Sequence, residues 1–188
     1  MDKFTIVLGS KSPRRQKLIK ELGFAFEVRT KEIEEKYPSF TPLKEVAAYL
    51  ATLKASALKS SLISGEILLT SDTVVLNNNE ILGKPKNPLE AKNMLRSLSG
   101  GTHEVITGVH LQSLDKTHTF SVGTIVHFAK LTDIEIDFYI NKYKPFDKAG
   151  AYGIQEWIGY IGVEKIEGCY YNVMGLPVHE VYKQLMQF

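Results

Sequence analysis

Three times in the first half of the chain a polar residue stands directly before a proline at the head of an apolar pattern: Ser12-Pro13, Thr41-Pro42 and Asn87-Pro88. Such pairs start helices, because the polar side chain accepts a bond from an orphan N–H of the first turn and proline lacks only a donor that would be unpaired anyway. Between these starts lie short apolar runs typical of strands: Phe4 to Leu8, Phe24 to Arg29, and Glu66 to Thr70 with Thr73 to Leu76. Strands that alternate with helices in this way fold as layers of helix on a sheet. At 188 residues and 44% hydrophobic composition there is material for one packed core, so the chain is read as a single domain, 1–188.

The first helix begins at Pro13, carries Leu18, Ile19 and Leu22 at helical spacing, and stops at Gly23. The second is predicted from Pro42 to Lys59 with Val46, Ala47, Leu50, Leu53, Ala57 and Leu58 on its apolar face and Lys54 at the margin, where a lysine ordinarily snorkels. Ser71-Asp72 reads as an interruption of the strand around it, and Asn77-Asn78-Asn79 turns the chain into Glu80-Ile81-Leu82 as a hairpin. Asn87 opens a third helix that ends at Gly100-Gly101. His103 to Leu114 and His118 to Ala129 form two long strands, Thr132 caps a fourth helix, Tyr160 to Ile166 is predicted as a strand, and a last helix follows Pro177. Early alternation and later hairpins imply a mixed sheet rather than a purely parallel one.

Composition excludes several functions. A net charge of +2 is too balanced for wrapping a polyanion, so no stable nucleic-acid partner is expected. One cysteine, Cys169, makes neither an internal disulfide nor a thiolate metal site, and no apolar run approaches the ~20 residues of a membrane span. The Met-Asp-Lys-Phe-Thr-Ile-Val-Leu start is too short for a signal peptide, which makes the cytoplasm the expected address. The five histidines show no H-x-x-x-H spacing, and neither a nucleotide P-loop nor a G-x-S-x-G elbow is present.

Four features carry chemistry. Gly9-Ser10-Lys11-Ser12-Pro13-Arg14-Arg15 places two arginines in a helix's first turn, where cations oppose the dipole unless an anion such as phosphate lies beside them; a solvated basic turn is the alternative. Asp72 is a carboxylate inside an apolar strand, which calls for a metal, a lysine or a catalytic role, unless it only forms a turn. Glu34 and Glu35 are hard oxygen donors or a solvated acidic stretch, and Asp72 with one of them would suffice for a magnesium ion shared with substrate phosphates. Gly83-Lys84-Pro85 either aims a lysine or is a surface turn.

Six segments, in order, resemble the Maf-like nucleoside triphosphate pyrophosphatases along nearly the whole chain. They are the Gly9 to Arg15 loop, Ser71-Asp72-Thr73-Val74-Val75, Gly83-Lys84-Pro85, Leu98-Ser99-Gly100 with His103 to Val109, Asp147 to Gln155, and Asn172 to Pro177. The resemblance implies a mixed, twisted α/β sheet flanked by helices, with two lobes and a central cleft as in inosine triphosphatases. It implies a divalent cation, magnesium or manganese, and hydrolysis of a nucleoside triphosphate to the monophosphate and pyrophosphate, limiting incorporation of non-standard nucleotides. A homodimer is compatible with it. Asp72 matches the general base, Arg14, Thr73 and Gln155 the positions that select the base, and Ser10, Arg15, Lys54 and Lys84 the phosphate pocket. Glu35 matches an acid linked, with Asp72, to the metal. The Arg14, Thr73 and Gln155 combination is similar to the subgroup acting on dTTP and UTP.

Two positions depart from that pattern: Gly9 stands where alanine is usual, and Glu156-Trp157-Ile158-Gly159 follows Gln155 where glycine is usual. Competing readings are a 7-methyl-GTP pyrophosphatase of the same fold, against which Gln155 argues, and a non-catalytic nucleotide-binding regulator of septum formation, against which Asp72 and Lys84 argue. An RNA-binding domain built on Arg14 and Arg15 lacks both the charge and a stacking-aromatic motif.

Overall fold

The computed structural model describes residues 4–188. Strands β1 (Thr5–Leu8), β2 (Phe26–Val28), β3 (Glu66–Asn77), β4 (Glu80–Leu82), β5 (Thr102–Gln112), β6 (Thr117–Phe128) and β7 (Val163–Glu167) form one sheet ordered β2-β1-β3-β5-β6-β7, with β4 on β3. The helices are α1 (Pro13–Glu21), α2 (Val46–Leu58), α3 (Pro88–Leu98), α4 (Asp133–Tyr143), α5 (Trp157–Gly162), α6 (Tyr170–Val173) and α7 (Val178–Leu185). β1 pairs parallel with β2 and β3, while β3–β4 and β6–β7 are antiparallel, so the sheet is mixed as the pattern of runs and turns predicts. Among the described residues no helix is long and apolar enough to cross a membrane.

The chain divides into two compact units. The first comprises the described residues up to Asp72, together with Thr107–Val122 and Gly175–Phe188. β1 lies in register between Phe26–Val28 and Glu66–Leu69, and Val7, Ala55, Leu58, Leu62 and Leu68 pack together. α2 starts four residues later than predicted. Pro42 stays extended with no side-chain cap bond, and a single 3-10 turn, Leu43–Glu45, precedes the helix. Its buried face is also rotated: Ala51 and Ala55 point inward while Leu53 and Ala57 are half-buried. Small residues on that face let the helix approach the strands, and Thr70 of β3 donates its hydroxyl to the Ala51 carbonyl at 2.7 Å. The approach is closest at Gly108 of β5, where a Cβ would lie 2.2 Å from the Ala48 nitrogen and 2.3 Å from the Ala47 carbonyl carbon.

The second unit comprises Thr73–Ile106 and Gly123–Met174. Its core includes Leu95, Leu98, Val126, Ile136, Tyr139, Tyr152 and Ile158. Asn87 caps α3 by accepting from the Glu90 N–H at 2.9 Å, and Thr132 with Glu135 forms a reciprocal capping box on α4. Asn78 and Asn79 take positive φ, the conformation that a two-residue hairpin turn requires. The strand predicted from Tyr160 begins only at Val163, because Tyr160 to Gly162 complete α5. That helical turn closes on the Ile154 carbonyl so tightly that a Cβ at Gly159 would lie 1.8 Å from its oxygen.

His103 is buried in this core, its Nε2 2.7 Å from the Tyr152 hydroxyl and its ring edge-on to Phe128 and Tyr152. Its Nδ1 has no hydrogen-bond partner among the described residues. Burial disfavours the imidazolium and pushes the pKa down to about 4. A base depressed in this way contributes stability fully present above its unfolded value near 6.5 and lost as pH falls toward 4, when the unfolded chain takes up a proton that the folded one refuses. Urea unfolding is expected to show a loss of about 3 kcal/mol across that window from this group. The His103→Gln protein should show a shallower loss over the same range; an identical slope would assign the acid sensitivity elsewhere.

Candidate active site

The loop leading into α1 is folded by its own hydroxyls: Ser10 Oγ accepts from the Ser12 N–H at 3.2 Å, and Ser12 Oγ caps the helix by accepting from the Arg15 N–H at 3.5 Å. Ser10 is buried and Arg14 half-buried. Gly9 has a local reason to be glycine, since a Cβ there would meet the Thr70 methyl at 2.5 Å and Leu58 at 3.1 Å. Arg15 turns inward, donating Nε–H to the Gly175 carbonyl at 2.8 Å and Nη1–H to the Ser71 carbonyl at 2.9 Å. The first-turn cation that the sequence leaves in need of an anion is thus anchored by backbone dipoles. Burial lowers the Arg15 pKa; the charges of Asp72 and Glu35 oppose that shift and the charge of Arg14 adds to it.

Asp72 does not interrupt its strand. β3 runs unbroken through Ser71 and Asp72, residue types with poor strand propensity that are held there by distant partners: Arg15 on the Ser71 carbonyl and Lys54 on the Asp72 carboxylate. Lys54, on α2, leaves the margin expected for it. Its Nζ donates to Asp72 Oδ1 and pairs with Glu35 Oε1 at 3.0 Å. Lys54 and Asp72 are 16% and 15% exposed, against 46% for Glu35, so two carboxylates converge on one ammonium at the edge of the protein interior. A lysine partner, one of the alternatives the sequence offers for Asp72, is the one this structure supplies. Among the described residues no group of three or more His, Cys, Asp or Glu side chains could hold a metal ion. Asp72 and Glu35 are two oxygen donors, which suits a hard divalent cation only if phosphate or water completes its shell.

Thr73, Lys84 and Gln155 belong to the second unit. Thr73 continues β3 and is half-buried; Lys84 is exposed in the turn after β4, where the Gly83 carbonyl accepts from the Gly150 N–H at 3.1 Å. Gln155 is half-buried, third in a turn closed by the Glu156 N–H donating to the Gly153 carbonyl at 2.9 Å. Sequence reasoning missed what surrounds it. Lys148, only 8% exposed, pairs with Asp147 at 2.7 Å and Glu156 at 3.1 Å, and Glu156 also accepts from the Tyr139 hydroxyl. Burial and the Glu156 carboxylate together raise the Tyr139 pKa, so the phenol remains a donor. No spacing marks these residues as partners; a lysine directly before the small, apolar run Ala149-Gly150-Ala151 is the one available hint.

The family model described as Maf-like protein matches residues 5–188. The chain is 51% identical to the dTTP/UTP pyrophosphatase of Parabacteroides distasonis, over 100% of this chain and 98% of that one. It is 49% identical to the dTTP/UTP pyrophosphatase of Porphyromonas gingivalis strain W83 over 100% and 96% of the two chains, and 52% identical to that of Flavobacterium psychrophilum over 96% and 93%. Among solved structures it is similar to the Staphylococcus aureus Ham1 protein, with TM-score 0.48 and 14% identity over 97% of this chain and 98% of that chain.

Proposed function

Because the chain belongs to the Maf-like protein family, we propose that it is a nucleoside triphosphate pyrophosphatase that hydrolyses dTTP and UTP to the monophosphate and pyrophosphate. Full-length relatives at about half identity bear the name dTTP/UTP pyrophosphatase. The observation that carries the mechanism is the Lys54 ammonium held between the Asp72 and Glu35 carboxylates, beside Arg15. A triphosphate brings roughly four negative charges, which Arg15, Lys54 and Lys84 answer, with the Ser10 hydroxyl as a neutral donor. Water is the nucleophile at the α-phosphorus, and an Asp72 carboxylate oxygen takes its proton. As pyrophosphate departs, the guanidinium of Arg15, already fixed by two carbonyls, needs little reorganisation to face the developing charge. The whole 1–188 chain acts as one domain, in the cytoplasm, where free nucleotides are met.

Asp72 and Glu35 are the residues that would hold a magnesium or manganese ion together with phosphate oxygens, and the ion when bound supplies Lewis-acid stabilisation of phosphoryl oxygens. Chelation of the purified protein is expected to abolish pyrophosphate release, and added magnesium to restore it. Full turnover after exhaustive metal removal would take the cation out of the mechanism.

Base selection follows from Arg14, Thr73 and Gln155. Uracil and thymine present two carbonyl acceptors around an N3–H donor, a pattern that an arginine and an amide match, whereas cytosine leaves a buried donor unpaired. That costs about 1–3 kcal/mol per group, or roughly 5- to 150-fold in kcat/KM. None of the three side chains is assigned to the ribose 2′ position, so dTTP and UTP are expected to be cleaved alike. The test is pyrophosphate release with magnesium from dTTP, UTP, CTP, GTP and 7-methyl-GTP. Turnover of CTP or 7-methyl-GTP at least as efficient as that of dTTP overturns the base assignment, and no release from any of the five overturns the activity.

A further inference from the structure

We propose that the buried Lys148–Glu156–Tyr139 network is a positioning device that fixes the Gln155 amide, and through it the choice of base. The proposal rests on the reading of Gln155 as a base-contacting residue.

The four-residue turn Gly153-Ile154-Gln155-Glu156 is gripped at both ends by one hydroxyl. The Gly153 N–H donates to Tyr139 Oη at 3.0 Å, and the same hydroxyl donates its proton to the Glu156 carboxylate. The other oxygen of that carboxylate pairs with Lys148 Nζ at 3.1 Å. These groups lie close against the turn: a Cβ on Gly153 would stand 3.0 Å from Glu156 Cδ and from Lys148 Cε. On the far side, the Tyr160 hydroxyl donates to the Gln155 carbonyl at 3.3 Å. Five residues before Glu156 the backbone is strained. Ala151, fully buried, takes φ +60°, a conformation that an L residue keeps only where its surroundings over-determine it.

A buried lysine–glutamate pair seldom raises stability over an apolar packing of the same volume, so what such a pair supplies here is a single conformation. That is what an amide reader needs. Gln155 must offer a donor to one base atom and an acceptor to the next, and a swing of its backbone would exchange or misplace both.

The experiment is a double-mutant cycle on base preference, read as the ratio of kcat/KM for dTTP over CTP. Tyr139→Phe removes the shared hydroxyl while keeping the ring. It is expected to lower the ratio by about tenfold, the order of one buried polar contact, and mainly by raising KM for dTTP. Gln155→Ala should lower the ratio as well, and adding Tyr139→Phe to it should change nothing further, because the hydroxyl acts only through the amide. A Tyr139→Phe protein that keeps the native ratio, or effects that multiply in the double variant, overturns the proposal. A ratio untouched by Gln155→Ala overturns the base-reading role itself, which is a different failure. Glu156→Gln keeps the shape and removes the charge; it must give the same non-additivity, so the proposal stays refutable even where Tyr139→Phe does not fold.

Discussion

The Asp72→Asn protein is expected to release pyrophosphate from dTTP roughly 10²–10⁴-fold more slowly than the unaltered chain, the usual scale for loss of a general base. An amide has the size of the carboxylate and still accepts a hydrogen bond from Lys54, but it cannot take a proton from water. The change would strand a part-buried ammonium if Asp72 were its sole partner, and it is not: Lys54 also holds Glu35 at 3.0 Å. Folding is therefore expected to survive, with an unchanged far-ultraviolet circular dichroism spectrum. Steady-state pyrophosphate release beside that spectrum decides the matter, and near-native turnover in a folded Asp72→Asn protein would remove Asp72 from the chemistry.

Gly108→Ala is expected to be the most disruptive single methyl group in the first unit. The added carbon would stand 2.2–2.4 Å from three backbone atoms of Ala47 and Ala48, and no rotamer change can relieve a clash between two backbones. Helix and strand must separate, opening contacts around the fully buried Val46, Ala47 and Ala51. The expected loss is about 3 kcal/mol or more, at the upper end for overpacking. Lys54 rides on the same helix, so activity should fall along with the urea midpoint. A Gly108→Ala protein within about 0.5 kcal/mol of the native stability would mean that α2 can lift from β5 freely.

The parts of this fold that could be read in advance are those set by neighbours in sequence. Ser12, Asn87 and Thr132 each bond to the N–H three residues on, so the starts of α1, α3 and α4 are local facts. The start of α2 looked the same on paper and differs, because Pro42 stays extended and the 3-10 turn after it has no side-chain cap bond. Ser71 and Asp72 read as a break since their partners, Arg15 and Lys54, lie 56 and 18 residues away. Tyr160 and Ile161 have strand composition but close a helical turn over the Ile154 carbonyl. At the candidate site, residue types and motif order named Asp72, Lys54, Glu35 and Arg15. That one ammonium joins the two carboxylates, and that Arg15 is tied to Ser71 and Gly175, depends on pairings no spacing expresses. The same is true of Lys148 and Tyr139, which reach Glu156 from separate elements.

The chain crosses between its two units after Asp72, Ile106, Val122 and Met174, so neither unit is one continuous stretch. During synthesis β1, α1, β2 and α2 are made first, yet the fully buried Leu176, Val181 and Leu185 that belong with them come from the last fourteen residues. The Tyr182 ring lies tilted against that of Phe24, centroids 6.0 Å apart, and Lys116 donates to the Gln187 carbonyl at 2.6 Å, joining segments more than seventy residues apart. The core of the first unit is therefore completed by segments distant in sequence from β1, α1, β2 and α2. Much of the closure entropy falls due before the contacts that offset it can form, the expected behaviour of an α/β topology rich in long-range pairings.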